Sequence, residues 1–222
     1  MIKIAALVPM RHHSQRVPEK NYRTLGGKPL FHHILSTLKG VPEIINIFVD
    51  TDSPPIKAGI KQFFPSVQVI DRPENLCADD VSMNRIIAYD LSLIQADYFL
   101  QTHTTNPLLK SQTISRAINT FLEEQEKHDS LFSVTRLQTR LYDRDGKPVN
   151  HNPAELIQTQ DLPPLFEENS CIYLFSKDSL ENNGHRIGNS PFLFEIDPEE
   201  AWDIDTMLDF MIVDILLNQN QE

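Results

Sequence analysis

The run Ile2-Lys3-Ile4-Ala5-Ala6-Leu7-Val8-Pro9 breaks at once into Arg11-His12-His13-Ser14-Gln15-Arg16-Val17-Pro18-Glu19-Lys20-Asn21. The apolar half reads as a buried strand and the polar half as the loop on its carboxyl end. The first 42 residues hold seven Lys/Arg (Lys3, Arg11, Arg16, Lys20, Arg23, Lys28 and Lys39) against one acid, Glu19. That segment carries +6 in a chain of net charge −11, so the remainder carries −17. A cationic loop at a strand end in an acidic protein suits a polyanion such as a nucleoside triphosphate. The plain alternative is a solvated charged loop.

Outward from this loop, apolar β-rich runs alternate with longer amphipathic ones. Strands are predicted at residues 3–9, 44–50, 67–71, 97–102, 130–135, 171–175 and 192–196. Helices are predicted over 29–39 (ended by Gly40), 54–64, 82–93 (with Ser82 as N-cap), 112–126 and 206–217. This rhythm predicts an α/β fold, a mixed and mostly parallel sheet with helices on both faces. Residues 137–168 interrupt it with the turn dipeptides Asp145-Gly146 and Pro163-Pro164. We read them as a small protruding lobe, with Leu141, Tyr142, Leu156, Ile157, Leu162 and Phe166 to bury. The chain is expected to be one domain plus this lobe, and Asn218–Glu222 are expected to fray.

Composition excludes several classes. No run of 18 apolar residues exists, so no membrane span is expected. The opening Met1-Ile2-Lys3-Ile4 runs directly into a strand pattern and does not resemble a signal peptide. Cys77 and Cys171 form neither a disulfide framework nor a metal spacing, so both are expected reduced in a cytoplasmic protein. The acidic balance argues against nucleic acid as a partner.

In open α/β sheets, ligands bind outside the carboxyl ends of the strands. Four polar clusters follow such ends: residues 11–21, Asp50-Thr51-Asp52, His103-Thr104-Thr105-Asn106 and Asp203-Ile204-Asp205. Asp203 and Asp205, two apart on an extended segment, share a side and can hold Mg²⁺. The competing reading makes Asp205 the N-cap of the following helix. Arg11 and Lys20 are candidates for phosphate oxygens, one as a fork and one as a point charge. The loop has neither a P-loop nor a Gly-x-Gly-x-x-Gly pattern, which argues against a Walker NTPase and a dinucleotide dehydrogenase. His32 and His33 are adjacent on a helix and diverge, so they do not chelate together. His103, at a strand end, can hydrogen-bond a substrate hydroxyl or carboxylate.

The order of motifs resembles the acylneuraminate cytidylyltransferases, the CMP-sialic acid synthetases and their relatives for other 3-deoxy-2-ulosonic acids. The family's Pro-Ala-Arg-Gly-Gly-Ser-Lys-Gly-x-Pro-x-Lys-Asn loop reads here as residues 9–21. Its Gly-x-Pro-Leu looks like Gly27-Lys28-Pro29-Leu30, and Val-Ser-Thr-Asp like Val49-Asp50-Thr51-Asp52. Arg-Pro-x-x-Leu-Ala-x-Asp is similar to residues 72–79, with Cys77 as a swap. Leu-Gln-Pro-Thr-Ser-Pro-Leu maps onto residues 102–108, Asn-Gly-Ala-Ile-Tyr onto 169–173, and Asp-Ile-Asp-Thr onto 203–206.

The resemblance implies a Rossmann-like nucleotide-diphospho-sugar transferase fold. It implies Mg²⁺-dependent transfer of CMP from CTP to the anomeric hydroxyl of a sialic-acid-like 2-ulosonic acid, with pyrophosphate released. It assigns Arg11, Ser14, Lys20, Asn21, Arg72 and Ser82 to the nucleotide. Asp203 and Asp205 go to Mg²⁺, and His103, Asn169 and Tyr173 to the sugar. It makes residues 137–168 a dimerisation arm of a homodimer. The departures are His12-His13 for Gly-Gly, Gln15 for Lys, His103 for Gln unless Gln101 takes that role through a two-residue slip, and Glu167-Glu168 where some relatives carry a basic residue. They leave two alternatives: a guanylyl- or other nucleotidyltransferase activating a different sugar, and a catalytically inactive nucleotide-binding relative.

Overall fold

The computed structural model describes residues 2–14 and 16–219. Gln15 and residues 220–222 of the end expected to fray lie outside the described residues, while Asn218 and Gln219, expected to fray with them, continue the last helix. The opening strand β1 (Ile4–Leu7) is buried at every position. It is central because it has no polar face to show to water. Ile4, Ala6 and Val8 pack against Phe31, Leu35, Ile114 and Phe121 on one side of the sheet. Ala5 and Leu7 pack against Ile87, Leu91 and Phe99 on the other.

The chain continues through a short hairpin, β2 (Thr24–Leu25) and β3 (Lys28–Pro29), into α1 (Leu30–Lys39). Next come β4 (Ile44–Thr51), α2 (Pro54–Phe63), β5 (Gln68–Asp71), α3 (Met83–Leu93), β6 (Tyr98–Gln101) and α4 (Ser111–Glu124). The second half holds β7 (Ser130–Leu137), β8 (Leu165–Phe175), α5 (Lys177–Asn183), β9 (Pro191–Glu195) and α6 (Met207–Gln219). The seven-stranded sheet runs β5-β4-β1-β6-β8-β7-β9. Its neighbours pair in parallel except where β8 meets β6 and β7. The predicted α/β class, mostly parallel sheet and two helical layers are therefore present.

Three elements depart from expectation. The hairpin was not anticipated, because two-residue strands are too short to show an alternation. The seven-residue α5 was not anticipated either, since Ser179 and Leu180 are its only buried positions. Strand β8 begins at Leu165, inside the stretch read as the lobe, so the protrusion spans about residues 138–164. Residues 166–168 at its start are exposed and polar-rich, which disguised them as loop.

The lobe does not cohere by apolar burial as expected. Of the six apolar residues named for it, only Leu162 is buried, and Leu156 is 89% exposed. Side-chain amides hold it instead. Asn150 accepts from the Leu141 N–H and donates to the carbonyls of Thr139 and Pro163. Gln138 donates to the carbonyls of Thr159 and Leu162.

Candidate active site

A cleft of about 630 Å³ opens beyond the carboxyl ends of β1 and β6. The loop after β1 forms one wall, and it is pinned rather than loose. The buried Asn21 donates through Nδ2 to the Arg11 carbonyl at 2.8 Å. Its Oδ1 accepts from the Thr104 hydroxyl at 2.6 Å. Asp52, at the end of β4, accepts from the His12 N–H at 2.7 Å. The His12 imidazole stacks on Tyr22 and meets the Ser53 hydroxyl. Of the His-His departure, His12 is thus taken up by packing beside the cleft, while His13 is exposed and lines it.

The opposite wall is Asp203-Ile204-Asp205. Ile204 is fully buried among Val17, Leu25, Leu30 and Phe210. Its N–H donates to the Thr105 carbonyl at 2.9 Å, and its carbonyl accepts from Lys20 Nζ at 2.7 Å. With the middle residue anchored inward, both carboxylates face the cleft. Asn106, after β6, braces the same segment by donating toward the Trp202 carbonyl at 3.4 Å. Helix α6 is capped by Thr206, not by Asp205. The Thr206 hydroxyl accepts from the Asp209 N–H, and the Asp209 carboxylate accepts from the Thr206 N–H and hydroxyl. This reciprocal capping box leaves Asp205 to the cleft.

Cations and carboxylates meet across the gap. Arg16 pairs with Asp205 at 2.7 Å, and Lys20 stands 3.9 Å from the same carboxylate. Arg11 pairs with Asp79 at 2.7 Å on the outer rim. The Lys20 ammonium is lowered by burial, partly offset by Asp203 and Asp205. Asp203 touches solvent, but the cleft walls strip enough water to raise its carboxyl, against a hydrogen bond from Thr105. A hard cation fits this pair: two carboxylates on one face can take two of its positions and leave the rest for water and phosphate.

The other predicted nucleotide residues are placed unevenly. Ser14 lines the cleft and its hydroxyl accepts from the Val17 N–H. Arg72 also lines it, but its guanidinium is engaged by buried Asp50 through side chain and backbone. Asp90 lies against Asp50, and burial plus that neighbouring carboxylate push its carboxyl well up. Its retained proton gives Asp50 Oδ2 a donor; without it these buried oxygens have no partner among the described residues. Ser82 precedes α3 without a side-chain cap and is exposed, while its neighbours Val81 and Met83 line the cleft.

Of the residues expected to face the sugar, His103 sits half-buried on the cleft floor. A second cavity of about 380 Å³ adjoins the first at Ser170 and Asp203, and it is bordered by Glu167, Glu168, Asn169 and Trp202. Asn169 is nine-tenths buried and tied to β7 through Ser133 and Thr135. Tyr173 corrects the expectation of a sugar-facing ring. It is fully buried, with its hydroxyl donating to the Glu168 carboxylate and accepting from the Ser170 hydroxyl. Ser170 adopts a left-handed φ of 60°, where the resembled motif has Gly. It lies in a bulge between β7 and β8 that turns these residues toward both cavities.

Sequence reasoning missed the ion pairs of Arg16 and Arg11, which join distant segments, and the contacts of Gln101 and Arg186. Residues 5–219 match the family model described as Cytidylyltransferase. The chain belongs to the cytidylyltransferase family. It is accordingly a nucleotidyltransferase enzyme. This cytidylyltransferase is 28% identical to the CMP-N,N'-diacetyllegionaminic acid synthase of Legionella pneumophila, over 100% of this chain and 99% of that one. It is 26% identical to post-translational flagellin modification protein B of Campylobacter coli, over 99% and 97%. It is 27% identical to the N-acylneuraminate cytidylyltransferase of Streptococcus agalactiae, matching 96% of this chain but about half, 52%, of that protein. In fold it is similar to a CMP:2-keto-3-deoxy-manno-octonic acid synthetase complexed with CTP. That likeness has a TM-score of 0.74 at 15% identity and covers 98% of this chain and 99% of that one. No described helix is long and apolar enough to cross a membrane.

Proposed function

We propose that this cytidylyltransferase moves CMP from CTP to the anomeric hydroxyl of a sialic-acid-like 2-ulosonic acid. The observation that carries the reading is the meeting of Arg16 and Lys20 with Asp203 and Asp205 across one open cleft. The sugar oxygen attacks the α-phosphorus, the bond from that phosphorus to the bridging oxygen breaks, and pyrophosphate departs. The hydroxyl proton passes to water.

Charge accumulates on the phosphate oxygens, so preorganised cations contribute most. Lys20, held by the Ile204 carbonyl, is aimed before the nucleotide arrives. Arg11 and Arg16 exchange their carboxylate partners for triphosphate oxygens. Asp203 and Asp205 would hold Mg²⁺, which supplies positive charge to the phosphates. Asn21 positions the loop, and Ser14 and Arg72 flank the nucleotide. His103 orients the sugar.

Glu167 and Glu168 favour keeping a second reading, a nucleotidyltransferase for a sugar without a carboxylate at that wall. They border the cavity in which an acidic sugar would lie. The lobe, with Tyr142, Val149 and Leu156 exposed, would pair two copies into a homodimer; light scattering of the protein in solution tests this. Pyrophosphate release over four nucleoside triphosphates and a panel of ulosonic acids, with Mg²⁺ or with chelator, tests the activity. We expect release with CTP and an ulosonic acid only when Mg²⁺ is present. Absence of release with any pair overturns the proposal.

A further inference from the structure

The Gln101 side chain, at the end of β6, is fully buried between two partners. Arg186 Nη1 approaches one end at 2.6 Å, and His103 Nε2 approaches the other at 3.0 Å. A guanidinium only donates, so the Gln101 atom facing Arg186 is the carbonyl Oε1. The amide nitrogen therefore faces His103, and its two hydrogens go to His103 Nε2 and to the Thr102 carbonyl at 3.1 Å. An amide nitrogen accepts nothing. His103 Nε2 must then carry the lone pair, and Nδ1 must carry the ring proton. An imidazolium would set two N–H groups against each other.

Arg186 is itself braced. Its guanidinium lies over the Tyr173 ring, 3.6 Å from the centroid. That ring is held through its hydroxyl by Glu168 and Ser170. The loop carrying Arg186 is bounded by Gly184 and Gly188, at φ 73° and 70°. A Cβ on Gly188 would come 2.4 Å from Asp129 Oδ1, and the Asp129 carboxylate accepts from the Asn189 and Ser190 N–H groups. The chain can pass this close only without a side chain.

We infer that Arg186 and Gln101 are positioning residues that fix His103 as a neutral Nδ1–H donor toward the acceptor sugar. This rests on the cytidylyltransferase reading of the cleft. Burial, with Arg186 and Lys20 nearby, lowers the imidazole to about 3, in keeping with that assignment. His103 offers a directional hydrogen bond to a hydroxyl or carboxylate oxygen at any working pH. It has no lone pair to spare on the sugar side, so it orients the acceptor and does not remove its proton.

Nitrogen-15 NMR of the wild-type protein reads the tautomer directly. We expect the Nδ1–H form, with no protonation down to about pH 5. Gln101→Glu replaces the amide donor by an acceptor, so Nε2 should gain a proton and the ring should titrate near or above its ordinary value. The sugar kcat/KM should then acquire an inflection at that pH. Arg186→Met frees the Gln101 amide to rotate; it should raise the sugar KM about tenfold, with kcat and the CTP KM changed less than about threefold. Arg186→Lys, which still donates, should restore part of the loss. A wild-type His103 that titrates normally or holds the Nε2–H tautomer overturns the inference. So does an Arg186→Met variant that weakens CTP as much as sugar. If no sugar turns over, the proposed function fails while the wild-type spectrum still decides whether Gln101 and Arg186 fix the His103 tautomer.

Discussion

The two sides of the cleft are built on opposite plans. On the rim proposed for the nucleotide, Arg11 and Arg16 keep about half or more of their side-chain surface in water, 52% and 64%, and hold exposed carboxylates. Such pairs are worth about 0–1 kcal/mol and exchange readily. On the side proposed for the acceptor, Gln101, Asn169 and Tyr173 are buried and hydrogen-bonded. The first plan can release one anion for another. The second holds a shape.

The largest effect should come from breaking the rim. Asp203→Asn combined with Asp205→Asn should cut kcat by about 10³-fold or more, roughly 4 kcal/mol of barrier. Circular dichroism and the melting temperature should show the fold intact. Turnover within tenfold of wild type would remove the pair from the chemistry.

Asn21 joins the two plans, a buried amide holding the exposed cationic loop. Asn21→Ala strands the Thr104 hydroxyl and the Arg11 carbonyl. The loss should be about 1–3 kcal/mol in denaturant unfolding, with a raised CTP KM. An unchanged midpoint and KM would show that the loop needs no anchor.

Asp90 sharpens the contrast from below the rim. Its carboxyl is raised in the folded protein, so the native state keeps a proton that the unfolded chain loses above about pH 4. Stability is therefore complete below that pH and declines as pH rises toward the elevated native value. Asp90→Asn keeps the donor to Asp50 and removes the slope. Its melting temperature should exceed wild type by about 2–4 °C per kcal/mol at pH 8, with the gain vanishing near pH 4. Parallel stability–pH curves for the two proteins would contradict this.

The smallest effect belongs to the acceptor wall. Ser170 holds a left-handed φ of 60°, which costs an L-residue about 1–2 kcal/mol. Ser170→Gly relieves that strain but loses a contact with the Tyr173 hydroxyl. A gain of up to about 1 kcal/mol in the unfolding free energy is expected. A loss would show that the hydroxyl contact outweighs the backbone.

The rim was the legible half. Ile4 to Leu7 announced a buried strand, and the charge reversal after it announced the loop. Asp203-Ile204-Asp205 carried its own geometry, because an apolar residue between two acids turns them to one side. The acceptor side was not readable in the same way. Gln101 and Arg186 are 85 positions apart, and only the antiparallel insertion of β8 brings the helix and loop after it back to β6. Tyr173 was placed by motif and proved to be a support for Arg186. The lobe was found as a break in rhythm, yet its cohesion lies in Asn150 and Gln138, amides that hydropathy does not register.

Whether Asp203 and Asp205 hold the metal is decided by calorimetric binding of CTP, with and without Mg²⁺, to wild type and to the Asp203→Asn/Asp205→Asn variant. Mg²⁺ should tighten CTP about tenfold or more in wild type and add nothing in the variant, which keeps its metal-free affinity through Arg11, Arg16 and Lys20. Equal tightening of both proteins by Mg²⁺ would contradict it.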